Sequence, residues 1–212
     1  MPRHWREMVA GYIEERLFIF LLVSLLFITG IVGGAFSVNG LRETQKVELT
    51  QYLYMFFQDF KMETPPGMDF SPAGKIIFSH FKTIFFLFIL GFSVIGTPVI
   101  LFIIFTKGFI LGFTVGFILQ QLAGRGFLFA MTAVFPHHLL IVPTIIAAAV
   151  ANIDFAGVLL KGRWGKNPSY SLTGEFMRCL GINGAAFFVL LLAGLVEGVL
   201  SPFLIYWVAG LF

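Results

Sequence analysis

Twenty consecutive residues, LFIFLLVSLLFITGIVGGAF from Leu17 to Phe36, contain no ionisable side chain. A helix of that length spans the hydrocarbon core of a bilayer, where each backbone N–H and C=O must be hydrogen-bonded within the chain. The 28 phenylalanines and the mean hydropathy of +0.93 show that the rest of the sequence is similarly apolar. We therefore expect an all-α integral membrane protein.

Four further windows between ionisable residues are long enough to be considered as spans. The third predicted span, Gly108 to Gly124, is the shortest, and the last two are long and contain prolines. This pattern predicts a polytopic helix bundle of about five transmembrane helices that forms a single domain over residues 1–212. The predicted spans are 17–36, 83–106, 108–124, 126–153 and 180–210, with an outer loop over 37–82.

Lysine and arginine are distributed unequally between the two sides of these predicted spans. Eight lie on the side of the N-terminus and six on the other, and five of those six fall in the long outer loop. Positive charges in short loops favour the cytoplasmic side, and long loops count less. We therefore expect a cytoplasmic N-terminus and an extracytoplasmic loop over 37–82.

The outer loop contains one amphipathic segment, predicted to be helical from about Glu43 to Phe60. Two interpretations of its apolar stripe remain open. It lies on the bilayer interface or the ends of the spans, or it is a docking face for another protein. The stripe consists of Leu49, Leu53, Phe56, Phe57 and Phe60.

Small residues recur every fourth position along the third predicted span and predict a smooth ridge on one helix face. Ridges of this kind allow a second helix to approach closely. That helix belongs either to the same bundle or to a second protomer, so a homodimer is possible. The ridge consists of Gly108, Gly112, Gly116, Gln120 and Gly124.

Polar residues and prolines interrupt the last two predicted spans. A structural interpretation is that the prolines break the helix and the polar side chains satisfy the freed backbone groups. A functional interpretation is a proton or solute pathway, because ionisable groups within a membrane are functional candidates. This predicted polar cluster consists of Pro136, His137, His138, Pro143, Glu197, Ser201 and Pro202.

Motifs for catalysis, nucleotide binding and zinc hydrolysis are missing from the sequence. The adjacent His137 and His138 would point about 100° apart on a helix, which suits one metal ion poorly. Cys179 is the single cysteine and cannot form an intramolecular disulfide. We expect a protein that is not an enzyme, with no catalytic residue, cofactor or metal and no nucleic-acid partner.

Three stretches resemble the stage II sporulation protein M family of bacterial membrane proteins. KGFILG, from Lys107 to Gly112, is similar to the start of that family's glycine-ridged span. FPHHLLIVP, from Phe135 to Pro143, resembles its proline-histidine motif, and EGVLSP, from Glu197, resembles its glutamate-to-proline motif. The resemblance extends over nearly the whole chain in length, span layout and motif order.

This resemblance implies a role in endospore formation. Members of the family are expected in the septal membrane of the mother cell, as multi-pass proteins that anchor a peptidoglycan-remodelling complex during engulfment. The implied partners are stage II sporulation proteins D and P, which are cell-wall hydrolases, together with membrane lipid. The chain itself would be a non-enzymatic scaffold. The alternative is a transporter or permease subunit, because broken helices with polar residues near the membrane midplane also form substrate sites.

Overall fold

The computed structural model describes residues 16–62, 71–164 and 172–200. These residues form α-helices joined by short turns, and no strand occurs in the described ranges, so the predicted all-α fold is confirmed. Two π-helical turns, Ala130–Val134 and Val196–Leu200, adjoin the helices. The α-helices are α1 Leu17–Ser37, α2 Glu43–Met62, α3 Ser71–Gly91, α4 Gly96–Phe129, α5 Phe135–Trp164 and α6 Leu172–Leu195.

Five of these helices are long and apolar enough to cross a membrane, as the sequence predicts. α2 is the exception, because charged and polar residues make up much of its surface. The candidate spans are Leu17–Gly40, Gly74–Gly91, Gly96–Leu122, Phe135–Leu160 and Leu172–Gly198.

The predicted boundary between the second and third spans at Lys107 is wrong. Lys107 lies in the middle of α4, and the chain instead turns between Gly91 and Gly96. A Cβ atom on Gly96 would collide with the carbonyl oxygen of Leu90, so this tight turn requires glycine. Pro98 lies in the first turn of α4, where its missing N–H costs no helical hydrogen bond.

The last two spans also differ from their predicted bounds, because charged residues lie inside the helices. Asp154 is within α5, and Glu175 and Arg178 are in the first two turns of α6. Arg16 is 2.6 Å from the Asp154 carboxylate and 3.8 Å from that of Glu175, and Arg178 is 3.9 Å from Glu175. Because these charged side chains pair with one another, they can lie near the ends of the spanning helices on one side of the bundle.

The chain reverses direction near the end of α4. A Cβ atom on Gly126 would collide with the carbonyl oxygen of Ile118, whereas on a straight helix those residues are separated by about 12 Å of rise. The axis therefore bends sharply between them. As a result α5 runs back alongside α4, and both helices line the same cavity.

α5 occupies the centre of the bundle. In its spanning window 56% of the residues are buried, against 17–33% for the other four candidate spans. The small side chains of Ala148, Ala149 and Ala151 allow neighbouring helices to approach it closely. Apolar side chains from four other helices complete this core, including Val23, Leu87, Ile100, Ile104 and Leu190.

The glycine ridge packs within the chain, against α1. Cβ atoms on Gly108 or Gly112 would collide with the carbonyl oxygens of Phe27 or Ile31, and one on Gly116 would lie 3.0 Å from the Cα of Ala35. α1 contributes glycines of its own to this close contact, at positions 30 and 34. A seam between protomers is therefore excluded for these three glycines of α4.

The C-terminal part of the predicted ridge differs from the rest. Gly124 is exposed, and a Cβ atom there would have no neighbour within 4 Å. The exposed Gln120 donates a hydrogen bond to the side chain of Asn39, in the short turn after α1. Close helix packing thus ends near Gly116, and a polar contact follows it.

Candidate functional site

A cavity of about 280 Å³ lies between α1, α3, α4, α5 and the π-helical turn that follows α6. We call it the polar cavity, because five ionisable side chains line it alongside Thr114 and apolar residues. These side chains are His80, Lys107, His137, His138 and Glu197.

The ionisable groups of the polar cavity converge from four helices. His80 lies in α3, Lys107 in α4, and His137 and His138 in the first turn of α5, while Glu197 follows the end of α6. α3 and α5 begin on the side of the bundle where α6 ends. The polar cavity is therefore displaced towards that side, away from the ion pairs of Arg16 at the opposite end.

Glu197 pairs with His80, which the sequence did not single out. The Oε2 atom of Glu197 is 3.2 Å from Nε2 of His80, within hydrogen-bonding distance. The sequence predicts instead that Glu197 satisfies backbone groups freed by the prolines. His80 was overlooked because the predicted spans placed it in the outer loop, whereas α3 carries it into the bundle.

The two adjacent histidines have different environments. Nδ1 of His138 is 2.9 Å from the backbone carbonyl oxygen of Val134 and donates a hydrogen bond to it in the tautomer protonated there. His137 is only 6% exposed, and among the described residues its Nδ1 has no hydrogen-bond partner. The ring centroids are 4.4 Å apart. One ring thus stabilises the backbone, and the other leaves a buried ring nitrogen without a partner among the described residues.

The helix irregularity beside these histidines adjoins Pro136 and is absent at Pro143. α5 continues without interruption through Pro143, and Pro136 occupies its first turn. The preceding residues Ala130–Val134 form the π-helical turn. Pro136 cannot donate to the carbonyl oxygen four residues earlier, so a wider turn before it relieves that mismatch.

The other two members of the predicted cluster, Ser201 and Pro202, lie outside the described residues. The part of the chain that the structure describes contains no group of three or more histidine, cysteine or acidic side chains arranged to hold a metal ion.

Lys107 is half-buried in the wall of the polar cavity, near the middle of its span. Within the described residues, no carboxylate oxygen lies within 4 Å of its ammonium group. A charged ammonium at this depth is costly unless it contacts water or an anion. Lys107 is therefore the strongest indication that the cavity interacts with a polar partner.

A second polar cluster joins α5 to α6 and was not predicted. Asn152 donates to the amide oxygen of Asn183 at 3.0 Å, and Asn183 donates back to that of Asn152 at 3.2 Å. The thiol of Cys179 is 3.4 Å from the same Asn152 oxygen. All three side chains are buried. Reciprocal amide bonds of this kind stabilise helix pairs in membranes.

Replacing Asn183 by the similarly sized leucine should destabilise the protein by about 1 to 3 kcal/mol, because both hydrogen bonds between the Asn152 and Asn183 amides are lost. The double variant Asn152→Leu/Asn183→Leu should be less destabilised than the sum of the two single variants. Thermal unfolding in detergent measures both effects. Strict additivity would contradict a direct coupling between the two amides.

α2 confirms the predicted amphipathic helix, with bounds Glu43–Met62. Leu49 and Leu53 of its apolar stripe are half-buried. The side chains of Phe56, Phe57 and Phe60 lie outside the part that the structure describes. Other apolar side chains of α2 are exposed, including Val47, Tyr52, Tyr54 and Met55.

Five apolar helices around a cavity with ionisable walls define a polytopic membrane protein of the helical class. The family model described as stage II sporulation protein M matches residues 23–202, which is most of the chain. The chain belongs to that family, and it is a sporulation-related multi-pass membrane protein. Searches of curated proteins and of solved structures gave no significant match.

Proposed function

We propose that the protein is a non-enzymatic membrane scaffold of the peptidoglycan-remodelling complex that drives engulfment during endospore formation. It would recruit the cell-wall hydrolases, stage II sporulation proteins D and P, in the septal membrane of the mother cell. The observation that carries this proposal is the family match over residues 23–202. The chemistry of the described residues is compatible with it, because they form a packed bundle and a polar cavity without a recognisable nucleophile–base pair.

α2 is the surface that we propose for partner binding. It lies outside the five candidate spans, and its apolar stripe, which includes Leu49 and Leu53, gives one face of the helix that suits contact with another protein. Position 53 belongs to the apolar stripe, while Tyr54 points about 100° away around the helix. These neighbouring positions allow a matched comparison.

Leu53→Glu should abolish co-purification of the hydrolases from sporulating cells and block engulfment, whereas Tyr54→Glu should retain both. The physical reason is that a carboxylate in the stripe cannot be desolvated against an apolar partner surface. The measurement is the amount of each hydrolase recovered with the tagged full-length chain. Normal recovery of the hydrolases with Leu53→Glu would contradict the docking face. It would favour the alternative that the stripe lies on the bilayer interface.

The orientation of the bundle decides whether α2 can meet enzymes that act outside the membrane. In a Cys179→Ser background, a cysteine at Tyr52 should react with an impermeant thiol reagent in intact cells. A cysteine at Ser93, in the exposed turn between α3 and α4, should react only after permeabilisation. The reverse pattern would contradict a cytoplasmic N-terminus and place α2 on the wrong side for cell-wall enzymes.

A transporter or permease subunit is the second candidate, and one observation favours it. The polar cavity brings five ionisable side chains together between helices, as substrate and proton sites in transporters do. The two candidates differ in whether Glu197 must release and bind a proton.

A further inference from the structure

We propose that the polar cavity and an adjoining apolar groove together bind one membrane lipid with a net negative phosphate headgroup. The headgroup lies beside Lys107 and His137, and a hydrocarbon chain lies in the groove. This inference goes beyond the scaffold function and does not depend on it.

One cation of the polar cavity, Lys107, has no counter-charge in direct contact among the described residues. The cavity wall contains one acidic side chain, Glu197, which is engaged with His80 at 3.2 Å. Lys107 remains as a cation with no carboxylate within 4 Å among the described residues. A phosphate oxygen beside its ammonium would provide the counter-charge that this depth in a membrane demands.

His137 provides the second, independent observation. Its side chain is 94% buried, lines the polar cavity, and has an Nδ1 atom without a partner in the described part of the chain. Buried polar atoms are almost always hydrogen-bonded. Because His137 lines the polar cavity together with Lys107, a headgroup in the cavity would lie against one ammonium and one imidazole ring.

The apolar groove has a volume of about 650 Å³ and adjoins the polar cavity. The two share lining residues, among them Leu111, Val134 and His138. Apart from His138, the groove is lined by apolar side chains and glycine. Its size lies within the range of known ligand sites.

The position of the groove selects a lipid as its occupant. Phe127, Met131, Phe135 and Leu139 line it and are between 44% and 63% exposed, so it opens towards the hydrocarbon of the bilayer. A lipid enters such a groove laterally with its headgroup directed into the polar cavity. A water-soluble anion would leave the groove unfilled, and a partner helix would bring no anion to Lys107. A choline headgroup would add a second cation beside Lys107.

The test uses the purified full chain in a nonionic detergent, titrated with phosphatidylglycerol or with phosphatidylcholine that has the same acyl chains. Native mass spectrometry counts bound lipid, and the melting temperature reports stabilisation. We expect one phosphatidylglycerol per chain, bound at least tenfold more tightly than phosphatidylcholine. Equal binding of the two lipids would overturn the proposal.

Two lysine variants separate the site from general surface charge. Lys107→Gln should remove the preference for phosphatidylglycerol, while its lipid-free melting temperature should match or exceed that of the parent, because an unpaired charge is removed. Lys82→Gln, which changes an exposed lysine over the Phe78 ring on α3, should retain the preference. Equal losses in both variants would indicate surface electrostatics and overturn the cavity assignment.

A groove variant separates a bound lipid from a bound free anion. Val115 lines the groove but not the polar cavity, so Val115→Phe should weaken phosphatidylglycerol binding several-fold. Undiminished lipid binding in this variant would overturn the groove as the chain site. Inorganic phosphate that stabilises the parent protein as much as phosphatidylglycerol does would show a free-anion site and overturn the lipid assignment.

Discussion

Replacing Gly112 by alanine should destabilise the protein by about 3 kcal/mol. The added Cβ atom would collide with the carbonyl oxygen of Ile31, and backbone of a packed helix cannot move aside as a flexible side chain can. α1 must therefore shift away from α4, and the reciprocal close contacts of Gly30 and Gly34 weaken with it. Thermal or denaturant unfolding in detergent measures the loss.

Gly124→Ala is the matched control, because Gly124 continues the same four-residue spacing but is exposed, with no atom near an added Cβ. It should change stability little, since alanine is the better helix former. Oligomer size should be the same for both variants. Equal melting temperatures for Gly112→Ala and Gly124→Ala would show that α1 does not pack on the ridge.

The sequence predicts α1 and α2 closely because their patterns are local. An uncharged window defines Leu17–Ser37, and helical spacing of apolar residues defines Glu43–Met62. The remaining boundaries depend on tertiary pairing. Lys107 looked like a loop residue although it lines a cavity, and Asp154 looked like the end of a span although it pairs with Arg16 inside α5. Hydropathy averaged over a stretch of sequence contains no information about such pairing partners.

The candidate site was predictable where a charge stood out against an apolar background. Glu197 and the His137–His138 pair satisfy that criterion, and all three line the polar cavity. His80 could not be predicted in this way, because the misplaced span boundary assigned it to a loop. Asn152 and Asn183 are uncharged, so their reciprocal bonding becomes visible only when α5 and α6 are in contact.

The Glu197→Gln variant distinguishes the scaffold from the transporter, and we expect it to preserve engulfment. A glutamine side chain keeps the shape of Glu197 and can still hydrogen-bond Nε2 of His80, but it cannot ionise. A scaffold requires only the bond. A proton-coupled transporter requires its carboxylate to release and bind a proton in each cycle, so glutamine would inactivate it.

Glu197→Leu removes the hydrogen bond as well as the charge. His80 then loses its partner inside the bundle, which should cost about 1 to 3 kcal/mol and reduce protein abundance and hydrolase recovery. Glu48→Gln on α2 is a control for loss of a carboxylate outside the spans. Engulfment and the amount of membrane-inserted protein should be measured for all three variants. An abundant, well-folded Glu197→Gln protein that fails to support engulfment would contradict the scaffold and favour proton transfer through the polar cavity.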